Sequence, residues 1–128
     1  MSRLSQLPCD PKKISSLGLA FVGDGVYDLI VREQLVCAAN RPVKALNAEK
    51  VSIVRCQAQA ERIRKLEPIL TEEEADVVRR GRNAHVAHAP KNASMADYHA
   101  ATAFEALLGY LYLSGNIERI RELLSIHI

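Results

Sequence analysis

Leu19-Ala20-Phe21-Val22-Gly23-Asp24-Gly25-Val26-Tyr27 sets a lone carboxylate inside an otherwise apolar stretch, and Ala103-Phe104-Glu105-Ala106-Leu107-Leu108-Gly109 repeats that arrangement far down the chain. Charged side chains are almost never fully buried unless they are paired or bound to metal. Burying either acid as an unpartnered anion is strongly unfavourable. Small neighbours (Ala20, Gly23 and Gly25 beside Asp24; Ala101, Ala106 and Gly109 near Glu105) allow two helices to cross closely. Carboxylates meeting at such a crossing repel. A hard divalent cation resolves the conflict, because Mg2+ takes one or two carboxylates and keeps waters for phosphate substrates. The residues therefore point to metal-assisted hydrolysis. A plainer reading stays open, with Asp24 paired to a basic side chain and Glu105 on a solvent stripe with Thr102 and Tyr98. Asp28 shares the face of Asp24 one turn on; it either helps hold water at a metal or pairs with Arg32.

Outward from these stretches the pattern is helical throughout, and the expected class is all-α. Asp10-Pro11 and Ser15-Ser16 are start signals, and Leu17 to about Ala38 reads as one long helix. Pro42 can open the next helix, Val43 to about Leu66, on the spacing of Leu46, Val51, Val54, Ala58 and Ile63. Thr71-Glu72-Glu73-Glu74 is a capping box, starting a helix expected to run to about Arg80 and stop at Gly81. Arg82 to Ser94 reads as a loop, Ala96 to Ser114 as a second apolar helix closed by Gly115-Asn116, and Ile117 to Ile126 as a short amphipathic helix. No segment alternates as a strand does.

The 128 residues suit one domain, with 48% hydrophobic and 25% charged residues. A net charge of +2 does not by itself announce a nucleic-acid binder. Cys9, Cys37 and Cys56 match no zinc spacing and are expected as free thiols, with Cys37 and Cys56 in buried helical packing. No apolar run reaches the ~20 residues of a membrane span, and no signal peptide opens the chain. A soluble, cytoplasmic protein is expected. His85-x-x-His88 has no third ligand in view and is read as loop rather than metal site; His99 faces either the site or solvent, and His127 the terminal surface.

Leu19 to Val26 resembles the ribonuclease III signature, a Leu-Glu-Phe-Leu-Gly-Asp-Ala run carrying catalytic acids. Thr102-Ala103-Phe104-Glu105-Ala106-Leu107-Leu108-Gly109 resembles that family's second motif, Asp-Val-Phe-Glu-Ala-Leu-Ile-Gly. The departures are specific too. Leu17 and Ala20 stand where the full-length enzymes have glutamates, and Thr102 stands where they have aspartate. The compact Mini-III branch shows the same losses; its Gly-Asp-x-Val-Tyr-Glu is matched by Gly23 to Asp28, and its Arg-Gly-Arg-Asn-Ala and Pro-Lys-Asn elements by Arg80–Ala84 and Pro90–Asn92. The likeness covers nearly everything from Leu17 onward.

The resemblance implies a ribonuclease III-like endonuclease domain over 1–128, without a double-stranded-RNA-binding domain, forming a symmetric homodimer. Asp24 and Glu105 would hold Mg2+ and support attack of an activated water on a phosphodiester of double-stranded RNA. With so few carboxylates, one well-held metal per subunit is expected, any second ion arriving with the RNA. Phe21 matches the family's aromatic interface residue, its alternative being an ordinary core position. Arg79, Arg80, Arg82 and Lys91 form a basic cluster suited to phosphates, unless the arginines simply oppose a helix dipole. Asn83 and Asn92 could bond ribose 2′-hydroxyls. The implied substrate is precursor 23S ribosomal RNA, with possible help from ribosomal proteins. Two competitors are a catalytically silent RNA-binding or ribosome-associated module of the same fold, and a helical protein–protein adaptor whose acids are structural.

Overall fold

The computed structural model describes residues 3–84 and 93–127, and among these the chain is helical with no strand. The helices are α1 (Ser16–Ala38), α2 (Val43–Val54), α3 (Cys56–Leu66), α4 (Glu72–Arg82), α5 (Met95–Leu113) and α6 (Ile117–His127), with 3-10 turns at Pro11–Lys13 and Glu67–Ile69. They begin where side chains satisfy free backbone donors. Asp10 accepts from the Lys12 N–H at 3.1 Å and Ser15 from the Gly18 N–H at 3.0 Å. Thr71 and Glu74 close the capping box, with bonds of 2.9 and 3.1 Å. After α5, Gly115 takes a φ of 78°, the left-handed conformation that lets a helix end and the chain turn back.

α5 is the central helix, with Ala103, Phe104, Ala106, Leu107 and Leu108 buried beneath α1, α3 and α4. Tyr27 of α1 meets Phe104 edge-on, ring centroids 4.9 Å apart. α6 adds Ile120, Leu123 and Leu124 to this core, and its Arg119 pairs with the buried Glu74 at 2.8 Å. The tightest approach is between α1 and α5. A Cβ at Gly23 would lie 1.7 Å from the Glu105 carbonyl oxygen, and one at Gly109 would lie 1.9 Å from that of Leu19. Two glycines therefore bring the backbones together at the level of both acidic motifs.

Three expectations need correction. The pattern from Val43 to Leu66 is two helices, because Arg55 between them is extended, with φ −62° and ψ 153°. The turn there lets α2 lie against α1 while α3 sets Ala60, Ile63 and Leu66 into the core on α5. Gly81 does not stop α4. It is buried within the helix, and a Cβ there would lie 2.9 Å from the Ala103 Cα, so its small size serves the packing of α4 on α5. Cys37 is exposed in the last turn of α1 rather than buried; Cys56 is half-buried and Cys9 exposed. No helix among the described residues is long and apolar enough to cross a membrane.

A candidate active site at a helix crossing

The glycine contact that joins α1 to α5 fixes where their acids go. Gly23 lies against the Glu105 carbonyl, and Asp24 is the next residue, so the two carboxylates emerge side by side. Asp24 is exposed and Glu105 half-buried. They meet: Asp24 acts on Glu105 both as a neighbouring charge and as a hydrogen-bonding partner. Burial first, and then the Asp24 charge, push the Glu105 carboxyl from 4.5 up to about 8. Glu105 is therefore protonated at neutral pH when no cation is present. The solvent stripe imagined for it does not exist, since Thr102 is buried and its hydroxyl donates to the Tyr98 carbonyl at 2.9 Å.

A third group belongs to the site without standing out in the sequence. Gln59 of α3 is buried, its Nε2 donating to the Val54 carbonyl at 2.8 Å, and its amide acts on Glu105 as a hydrogen-bonding neighbour that favours the anion. Its signal was positional. Cys56, Gln59, Ala60 and Ile63 share one helical stripe, so a glutamine occupies a core register. Cys56 borders the same site, its thiol held up by burial and then by the charges of Asp97 and Glu105. Of the two readings of Asp28, the structure shows the ion pair with Arg32 at 2.5 Å, joined by Lys50 at 3.2 Å. Burial would raise the Asp28 carboxyl, but these two cations outweigh it and hold it below its usual range.

The basic cluster lies on another side of α5. α4 meets α5 at Ala103 and Ala106, whereas α1 meets it at Glu105 and Gly109. Arg79 and Arg80 both pair with Asp76, and Arg82 pairs with Glu67. Asn83 caps the end of α4, its backbone N–H donating to the Arg79 carbonyl at 3.2 Å. Lys91, Asn92, His85 and His88 lie outside the described residues. His99 is half-buried, with Nδ1 shielded and unbonded among the described residues. Phe21 is not a core residue. It is 83% exposed on α1, in company with Leu17, Leu29 and Val36. Beside it opens an apolar groove of about 820 Å³, lined by Val22, Val26, Ile30, Tyr112, Ile117 and Leu124.

The donor set fits a hard divalent cation. Two carboxylates meet where one is open to solvent, and the repulsion that Asp24 adds to the burial of Glu105 is what a cation between them would relieve. Among the described residues no third His, Cys, Asp or Glu joins them. That set suits Mg2+, which needs few protein ligands, better than zinc, which takes three or four.

Residues 17–116 match the ribonuclease III domain family. The chain is 46% identical over 115 residues to a Mini-ribonuclease 3 of Thermoanaerobacter sp., covering 90% of this chain and 81% of that protein. It is 47% identical to a Mini-ribonuclease 3 of Symbiobacterium thermophilum, covering 90% and 88%. The crystal structure of a Fusobacterium nucleatum protein superposes with a TM-score of 0.86 at 27% identity, covering 94% of this chain and 98% of that one.

Proposed function

This chain belongs to the ribonuclease III family, in its Mini-ribonuclease 3 branch, and from that premise we propose that its endoribonuclease activity is Mg2+-dependent hydrolysis of double-stranded RNA at Asp24 and Glu105. The meeting of these carboxylates at the α1–α5 crossing carries the reading. When bound, the cation supplies the positive charge that polarises a phosphodiester and makes a water acidic enough to attack it. Asp24, on the open side, and Glu105, behind it, are the residues that would hold it. Glu105 would serve as an anionic ligand there, without the proton it keeps when no cation is bound.

The substrate is held by charge and shape. Arg79, Arg80 and Arg82 are engaged in exposed or half-exposed ion pairs. Such pairs contribute only about 0–1 kcal/mol, so phosphates can compete for these arginines, together with Lys91, while Asn83 and Asn92 address ribose hydroxyls. The working unit is a homodimer of the 1–128 catalytic domain, which sets one site against each strand of a duplex. Phe21 of each copy enters the other's apolar groove, an exposed aromatic beside a large apolar surface being the usual mark of an interface. The natural substrate is precursor 23S ribosomal RNA in the cytoplasm, with ribosomal proteins assisting. Phe21→Asp is expected to turn a dimer into a monomer in sedimentation or light scattering and to lower cleavage with it; an unchanged mass would remove Phe21 from the interface.

The deciding experiment incubates the full chain with a long RNA duplex and Mg2+, beside Asp24→Asn. Cleavage by the wild type alone, lost on chelation, is expected. The silent RNA-binding module draws its support from Thr102, whose hydroxyl is engaged within its own helix where the full-length enzymes have an acid. Duplex binding without cleavage in either protein would establish that module instead, and absence of binding would overturn both.

A further inference from the structure

Gln59 has more structure around it than packing explains. It is 4% exposed, in a helix whose other inward residues are Ala60, Ile63 and Leu66. Its Nε2 donates at 2.8 Å to the carbonyl of Val54, the last residue of α2, which the extended Arg55 leaves without a helical partner. The same amide is a hydrogen-bonding neighbour of Glu105. An amide NH2 has two hydrogens, so one planar head can serve both acceptors. Its other end is left over: Oε1 is buried with no partner among the described residues. Turning the amide over would set Oε1 against the Val54 carbonyl, two acceptors face to face, so the backbone dictates the orientation. A glutamine serving only to fill the core is better replaced by an apolar side chain, since a buried acceptor without a donor is destabilising.

We propose that Gln59 is a positioning residue of the metal site, which from α3 holds the Glu105 carboxylate toward Asp24 with the Val54 carbonyl as its anchor. The inference rests on the reading of Asp24 and Glu105 as cation ligands, and it adds a third helix to the site. It also gives the break at Arg55 a purpose. The extended residue frees the Val54 carbonyl and sets the register of α3 that brings Gln59 to Glu105.

The test measures binding of Mn2+ alone to the full chain, following free Mn2+ by electron paramagnetic resonance. Wild type, Gln59→Met, Gln59→Asn and Glu105→Gln are compared, with helical circular dichroism and thermal melting on each. Gln59→Met removes the donor and the stranded acceptor at nearly constant volume. It is expected to remain folded and to bind Mn2+ roughly 10–100-fold more weakly, the loss typical when a group orienting a metal ligand is removed. Gln59→Asn keeps an amide one methylene too short to span Val54 and Glu105, and is expected to weaken binding as well. It decides the matter if the methionine variant fails to fold. Wild-type affinity in a folded Gln59 variant would overturn the positioning role while leaving the Asp24–Glu105 reading intact. Failure of the wild type to show any Mn2+ binding that Glu105→Gln removes would overturn that reading, and this inference with it.

Discussion

Glu105→Gln is expected to abolish cleavage and, with divalent ions removed, to make the fold more stable near pH 8. Both effects come from one conflict. The loss of activity follows from removing a charged ligand at the reacting centre; single preorganised electrostatic contacts there are worth roughly 10²–10³-fold in rate, and the loss here is expected to be at least that. The gain in stability follows from the raised Glu105 carboxyl, 4.5 in a free chain and about 8 when folded, through burial first and Asp24 second. Below pH 4.5 the side chain is protonated folded or unfolded, and its contribution is fully present. Between 4.5 and about 8 the folded protein keeps a proton that the unfolded chain has released, so stability is lost as pH rises, by up to about 1.4 kcal/mol per unit. A glutamine has the same shape and no proton to lose. Thermal melts in chelator should therefore show wild type falling below Glu105→Gln as pH climbs toward 8, with the two closest at acid pH. Mg2+ should restore the wild type and leave the variant unmoved, and wild-type Mg2+ affinity should rise with pH over the same interval. Parallel pH curves would overturn the raised Glu105 carboxyl from which both effects are derived.

The same conflict explains why so much of this site was legible in the sequence. A lone acid in an apolar helix is conspicuous because burying it is so unfavourable, and the glycines and alanines beside Asp24 and Glu105 announced that two helices would come close. Caps at Asp10, Ser15 and Thr71 were readable for the same reason: each acts within its own few residues. What could not be read depends on contacts between distant segments. Val51, Val54 and Ala58 keep helical spacing straight through Arg55, so periodicity gives no sign of a break that the separate docking of α2 on α1 and α3 on α5 requires. Gly81 looks like a helix stop and is instead a contact with Ala103. Arg82 finds Glu67 fifteen residues earlier, an ion pair that no local rule foresees. Gln59 is the instructive omission. A polar residue in a core register is the same kind of anomaly as the two acids, but an uncharged amide is less costly to bury and draws less notice.

Gly109→Ala is expected to prevent folding or to destabilise the protein severely, and Gly23→Ala to do the same. The added Cβ at Gly109 would lie 1.9 Å from the Leu19 carbonyl oxygen and 2.8 Å from its carbon; at Gly23 it would lie 1.7 Å from the Glu105 oxygen and 2.6 Å from its carbon. These are backbone atoms of the facing helix, so no rotamer change relieves the clash. Only a separation of α1 from α5 does so, and that opens the core around Leu19, Phe104 and Leu108. Overpacking that side chains can absorb costs about 1–3 kcal/mol, and a backbone clash at the central crossing should exceed it. Gly25 supplies the opposite case two residues from Gly23. Nothing lies within 4 Å of a Cβ placed there, so in the monomeric Phe21→Asp background Gly25→Ala should stabilise α1 by about 0.5–1 kcal/mol through reduced backbone entropy of the unfolded chain. Urea unfolding of the three variants separates these outcomes. If all three alanines cost the same, the close crossing is not what these glycines are for. If the outer one stabilises while the inner two unfold the chain, then the small residues around Asp24 serve two ends: the inner pair brings the acids together, and Gly25 keeps the face beside Phe21 open.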